Sequence, residues 1–408
     1  MRLLRIFGGF TLLQIVGFAA PFVALPIIAR IAGPVGWVHI ASAQALGSLA
    51  AVVIIFGWWT AGPGELYQLT TESQRIALYR RSVLGRLVVS AGACPLLLVG
   101  VYASTPPTWI FISAAVAVAA ALPGLSPAWL FVARAEPAKL AVYEVGPRAI
   151  ATIVSIFWMQ ASGALIVYPS LIILATLLGY AAAWFIETPQ THESSTSLAA
   201  VLGDLRSHAP IAMSNVMGSI YSQSMVPIAA VLAPASAVSG FVSADKLYRA
   251  SRFTIDATAN TLQSWTLRSD TRRNHLRAVI AHAALGILGG LCISLLTPFA
   301  TERLFGAAFA ASYMTSTSLG VAFLCTSLST PLVRNILIPR GRKYVALTAA
   351  ISALVVGLTS VYPLYVWLGA EGFAVTMALS EAAGLCVNAW AVRELLLRDS
   401  PSSTIHVS

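Results

Sequence analysis

Apolar runs of roughly twenty residues follow one another along almost the whole chain, separated by short polar turns. A helix needs about 20 mostly apolar residues to cross a bilayer. Twelve stretches meet that length, at approximately 8–29, 37–60, 83–104, 108–133, 145–162, 164–186, 208–232, 240–265, 278–300, 309–331, 344–367 and 371–393. The pattern predicts about 12 transmembrane helices, with the softest boundary between the fifth and sixth, where no polar linker intervenes. The eighth stretch breaks the pattern. Its sequence, VSADKLYRASRFTIDATA (242–259), carries two Asp, one Lys and two Arg inside a helix-length segment.

Composition agrees with the rhythm. The 408 residues are 58% hydrophobic and only 10% charged, whereas soluble domains average about 25% charged. Such a chain cannot cover a globular surface with polar groups. It reads as an all-α polytopic membrane protein. The run after Arg2 and Arg5 is too long for a signal peptide and reads as an uncleaved first helix. Cys94, Cys292, Cys325 and Cys386 fall in apolar stretches with no paired spacing. They read as free thiols, and no cofactor or metal motif is present.

The net charge of +10 raises the question of nucleic acid. Position answers it. With the N-terminus inside, 20 of the 25 Lys and Arg fall on inner segments, as the positive-inside rule requires. Both termini are therefore expected in the cytoplasm, and no nucleic-acid partner is needed. The outer loops reach about eight residues and hold only Glu302 and Glu371. That is too little for the catalytic loop of a membrane glycosyltransferase or polysaccharide polymerase.

The polar stretch ETPQTHESSTSLAAVLGDLRSHA (187–209) divides the chain near its middle. It predicts an N-terminal lobe at 1–190, a cytoplasmic linker at 191–207 and a C-terminal lobe at 208–408, with a short amphipathic helix over 196–206. The halves repeat weakly. At an offset of 201, LPIIARIA (25–32) lies against VPIAAVLA (226–233), and SAQAL (42–46) against SADKL (243–247). Six helices per half insert the same way round. Two lobes related by such a parallel repeat are a transporter architecture.

On a helix, Asp245, Arg249, Arg252 and Asp256 share one face, at spacings of four, three and four. Lys246 lies about 100° to one side. The opposite face shows Leu247, Ala250, Phe253 and Thr254. Each charge facing lipid at mid-bilayer would cost about 2.5–3.5 kcal/mol, so the stripe must face water or the bundle interior. Asp245–Arg249 and Arg252–Asp256 could pair and simply brace the helix. Even then Lys246 leaves the stripe positive. Intramembrane charges mark pathways by default, so a cavity-lining role is preferred. A cationic cavity selects anions, and the flat fork of Arg suits phosphate.

Other positions carry weaker signals. His39 and His282 could take up protons, but hydrogen-bonded packing histidines fit the pattern better. Glu381 reads equally as a site for a coupling ion or as an interhelical contact. Glu136 with Arg134 and Lys139 reads as an interfacial charge cluster, and Glu144–Arg148 as an i,i+4 pair. Pro21, Pro26 and Pro227 are expected to kink their helices.

The sequence resembles the bacterial polysaccharide transporters of the O-antigen flippase type, within the multidrug/oligosaccharidyl-lipid/polysaccharide exporter superfamily. LPIIARIAGPVGW (25–37) resembles the family's first-helix pattern. PAWLFVARAEPAKL (127–140) resembles its Trp-aromatic…Glu segment, and SNVMGSIYSQSMVPIAAVL with GFVSADKLYRA (214–232, 240–250) its seventh and eighth helices. GRK (341–343) and Glu381 match in place. The chain departs at Glu136, which follows VARA, and in the second helix, whose only polar candidates are His39 and Gln44. The resemblance implies movement of an undecaprenyl-diphosphate-linked oligosaccharide across the inner membrane by two lobes that alternate access. The resemblance adds Arg30, which matches the family's first-helix Arg, to the expected substrate contacts Lys246, Arg249 and Arg252 of the stripe; Asp245, Asp256, Glu381 and His39 are the expected supporting or coupling residues. A coupling ion would be the one small-molecule requirement. Polysaccharide polymerase and chain-length proteins would be partners. A multidrug or toxin exporter of the same superfamily is the alternative, but it would keep an acidic intramembrane site without an Arg excess.

Overall fold

A computed structural model describes residues 2–188, 197–268 and 272–398. Among them every regular element is helical. Nine helical segments are long and apolar enough to cross a membrane. The difference from twelve has a plain cause. The first segment, Leu12–Gln68, spans the first two predicted helices. The seventh predicted helix contributes only a short apolar piece, Ser222–Leu232, and the eighth is too polar to qualify.

Contacts divide the chain into two compact units, Met1–Val231 and Leu232–Ser408. In the first unit, α1 (Arg2–Ile55) holds both opening spans. Its helical torsions break at Gly33, with φ 69° and ψ 173°, and not at Pro21 or Pro26. That left-handed φ suits glycine, and Pro34 follows it. Next come α2 (Trp58–Gln68) and α3 (Glu72–Ser104). The latter opens on a capping box in which the Gln74 amide donates to Thr71 Oγ1 at 3.3 Å. Gly47 lets α1 pack tightly, because a Cβ there would run into the Ala117 carbonyl.

The fourth predicted span, 108–133, is not one helix. It is α4 (Ile110–Ala121), a 3-10 turn over Leu122–Leu125, and α5 (Ala128–Ala133). Pro123 and Pro127 lack amide hydrogens, so carbonyls are freed inside the unit. Arg86 of α3 fills the gap. It is fully buried, and its Nη1 donates to the Ser126 carbonyl at 2.7 Å and the Gly124 carbonyl at 3.5 Å. The positive-inside count read Arg86 as an inner-segment cation; in the structure it is buried among the helices. The unit continues with α6 (Pro137–Leu140), a π-helical turn over Ala141–Val145, and α7 (Gly146–Ser162). Gly163, with φ 70°, ends α7 before α8 (Val167–Glu187), so the soft boundary is where a glycine sets it.

Helix α9 (Leu198–Leu232) runs unbroken from the linker to the end of the unit. Part of the predicted amphipathic segment lies outside the described residues, and the rest forms the first turns of α9. Val201 and Leu205 sit against Gly85, Asp204 accepts from Arg81 Nε at 2.8 Å, and His208 Nε2 meets Glu65 Oε1 at 2.6 Å.

The second unit comprises α10 (Ala235–Arg268), α11 (Arg272–Phe305), α12 (Tyr313–Pro331), α13 (Lys343–Leu368) and α14 (Glu371–Arg398). A π-helical turn, Leu332–Leu337, extends α12.

Candidate functional site

The charged segment lies wholly within α10. Its packed side is Phe241, Ala244, Tyr248, Ile255 and Ala259, all buried. The face opposite the stripe does not do the packing. Phe253, Thr254, Leu247 and Ala250 are half-buried or exposed. The stripe instead borders the packed side, and its first member, Asp245, is drawn completely inside.

One expected pair forms. Arg249 Nε donates to Asp245 Oδ2 at 2.6 Å. The other carboxylate oxygen, Oδ1, is buried without a hydrogen-bond partner. The second expected pair, Arg252–Asp256, does not form. Arg252 Nη1 lies 3.9 Å from Glu381 Oε1 on α14, and its guanidinium sits 6.0 Å from the Tyr248 ring centre. Asp256 turns to Arg334, whose Nη2 donates to Asp256 Oδ1 at 2.8 Å. The physical reason is reach: a neighbouring helix presents a partner to each side chain, and two interhelical contacts replace one local contact. Lys246 is half-buried beside the stripe. The cluster thus holds four cations against three carboxylates within the second unit.

The remaining candidates belong to the first unit. Arg30 is exposed on α1, three residues before the break at Gly33. His39 is buried, and its Nδ1 has no hydrogen-bond partner. The i,i+4 contact of Glu144 with Arg148 is present at 3.7 Å, but Glu144 also accepts from Ser126 Oγ at 2.5 Å. The expected cluster at Glu136 is larger than the sequence suggests. Glu187, almost wholly buried, joins Arg134 at 3.1 Å and Lys139 at 2.8 Å, and Arg134 also meets Glu72 at 2.6 Å. No group of three or more His, Cys, Asp or Glu among the described residues is placed to hold a metal ion.

No family model matches the sequence, and no curated protein matches it. Solved structures do match in fold. One is described as lipid II flippase MurJ in an inward closed conformation. Its TM-score is 0.74 at 9% identity, covering 96% of this chain and 87% of that one. A second is an inward-facing multidrug resistance MATE family transporter of the MOP superfamily, with TM-score 0.70 and 12% identity over 95% of this chain and 99% of that one. A third is the eukaryotic MATE transporter AtDTX14, with TM-score 0.60 and 11% identity over 95% and 96% of the two chains. At these identities the likeness is one of fold. Nine apolar helices among the described residues, with this fold, make the chain a multi-pass membrane protein whose fold is like those of these transporters.

Sequence reasoning missed two arginines. Arg334 looked like a loop cation, yet it sits in the π-helical turn and reaches α10. The available signal was the apolar run around it, Leu332–Val333 and Ile336–Leu337–Ile338. Arg86 was hidden in the same way, beside the apolar LVV of 87–89.

Proposed function

We propose that this protein moves a polyprenyl-diphosphate-linked oligosaccharide across the cytoplasmic membrane for surface polysaccharide assembly. One observation carries the reading: the α10 stripe, where Arg249 and Arg252 are partly buried opposite carboxylates of their own unit. Guanidinium groups held in this way offer planar donors to phosphate. Their carboxylate partners limit the cost of the empty site. The likeness in fold to a lipid-linked flippase supports the same reading without naming the sugar.

In this reading the chain keeps twelve crossings, with α9 and α10 among them. Both termini are cytoplasmic, and the two lobes alternate access. In a cysteine-less background, cysteines at Ser197 and Arg273 should react with an impermeant reagent only from the cytoplasm. Cysteines at Pro106 and Ser236 should react from outside. Labelling of position 273 in intact cells would remove the twelve-crossing arrangement.

The functional test is export. Arg249→Ala and Arg252→Ala should stop surface polysaccharide export while the protein still reaches the membrane. The bracing account makes a different forecast, since Asp245→Ala with Arg249→Ala would then restore export. Rescue by that double change would overturn the proposal. The fold is equally that of multidrug transporters, so a drug-sensitivity assay in a pump-deleted host addresses the alternative. Protection from cationic drugs by this chain would favour it.

A further inference from the structure

The stripe is graded in exposure. Asp245 is fully buried, Arg249 is 24% exposed, Arg252 36% and Asp256 56%. Seven residues of helix separate Arg249 from Asp256, a rise of about 10 Å. At the open end the next cation comes from another element. Arg334, 35% exposed, leaves the π-helical turn and bridges two successive turns of α10. Its Nη2 donates to Asp256 Oδ1 at 2.8 Å and its Nη1 to Asn260 Oδ1 at 3.1 Å. A π turn inserts an extra residue and re-aims its neighbours, and such turns recur at functional sites.

We infer that Arg334 is the outermost phosphate ligand of the stripe, meeting an incoming diphosphate before Arg252 and Arg249. This rests on the reading above, that the stripe receives a phosphorylated anion. The physical basis is the contrast between the two ends. The Asp245–Arg249 pair has one wholly buried member, and parting it strands a carboxylate away from water. The Asp256–Arg334 pair is about half-exposed at the open end of the stripe, and in the reading above that end faces the watery cavity, where an ion pair contributes little. A phosphate can displace Asp256 from Arg334 at small cost if that cavity keeps the released carboxylate hydrated. Asn260, the second acceptor, keeps the guanidinium turned towards α10 during the exchange.

The competing account is that Arg334–Asp256 only ties the π turn to α10. Two variants separate these. Asp256→Asn and Arg334→Gln break the same ion pair but leave opposite charges behind. The probe is farnesyl diphosphate, with binding to the full-length protein in lipid nanodiscs measured by calorimetry at fixed low salt. Losing one charge-assisted phosphate contact should raise the dissociation constant of Arg334→Gln about tenfold. Asp256→Asn should bind about twofold more tightly than the unmodified protein, because a competing anion is gone. Dissociation constants for the two variants within about twofold of each other would mean a tie and overturn the inference. If Arg249→Ala and Arg252→Ala weaken binding and Arg334→Gln does not, Arg334 is excluded while the stripe stands. If none of the arginine variants weakens binding, the stripe itself is not a diphosphate site, and the inference falls with it.

Discussion

Arg86 in the first unit and Arg249 in the second are both arginines set deep among helices, and their partners differ in kind. Arg86 is wholly buried and gives its hydrogen bonds to backbone carbonyls of Ser82, Gly124 and Ser126. Those carbonyls cannot leave without unfolding α3 or the 3-10 break. Arg249 is 24% exposed and bonded to a carboxylate side chain whose second oxygen has no partner. In the proposed reading that bond is exchanged for one to an incoming anion. An arginine set among helices is therefore not by itself a ligand site. What separates the two cases is whether its acceptors are part of the backbone or can be replaced.

The largest effect expected from this contrast is on folding. Arg86→Ala leaves two buried carbonyls unpaired, at about 1–3 kcal/mol each. The variant should accumulate poorly in the membrane and melt well below the unmodified protein in detergent. Normal accumulation and melting would show that Arg86 is no tie. Next in size is Arg249→Lys, which keeps the charge and loses the planar fork. Surface export should fall several-fold with the protein at its normal level, whereas a matching loss of protein would make Arg249 resemble Arg86. A smaller change is expected for Ser126→Ala, which removes the bond to Glu144 and one donated by the Ala128 amide. About 1 kcal/mol of stability should be lost, visible as a modest drop in melting temperature with export intact. The smallest is Glu381→Gln. At 3.9 Å from Arg252 the contact is weak, so export should stay within a few-fold of normal. If Glu381 instead carries a coupling proton, the same change abolishes dependence on the pH gradient.

The elements were legible because each apolar run had to be long enough to span a bilayer, and a glycine or proline marked most breaks. Gly33 and Gly163 fall where the hydrophobic pattern placed a boundary. The broken fourth helix was not legible as such. Pro123 and Pro127 hinted at it, but the arginine that satisfies the break lies about forty residues earlier. In the site, the local pair Asp245–Arg249 was legible from its spacing of four. Arg252–Glu381 and Asp256–Arg334 were not, because their partners come from α14 and the π-helical turn, over 70 residues away in sequence. Hydrophobic periodicity assigns residues to faces; it carries no information about which face of a distant helix arrives opposite.

The most direct test of the central claim is translocation in proteoliposomes containing the purified protein and a fluorescent polyprenyl-diphosphate oligosaccharide, scored by its protection from an impermeant reagent. The account predicts that the unmodified protein moves the labelled lipid across the bilayer, that Arg249→Ala with Arg252→Ala abolishes the movement, and that a cationic dye is not extruded. Equal rates for the unmodified and doubly substituted proteins, or extrusion of the dye without movement of the lipid, would contradict it.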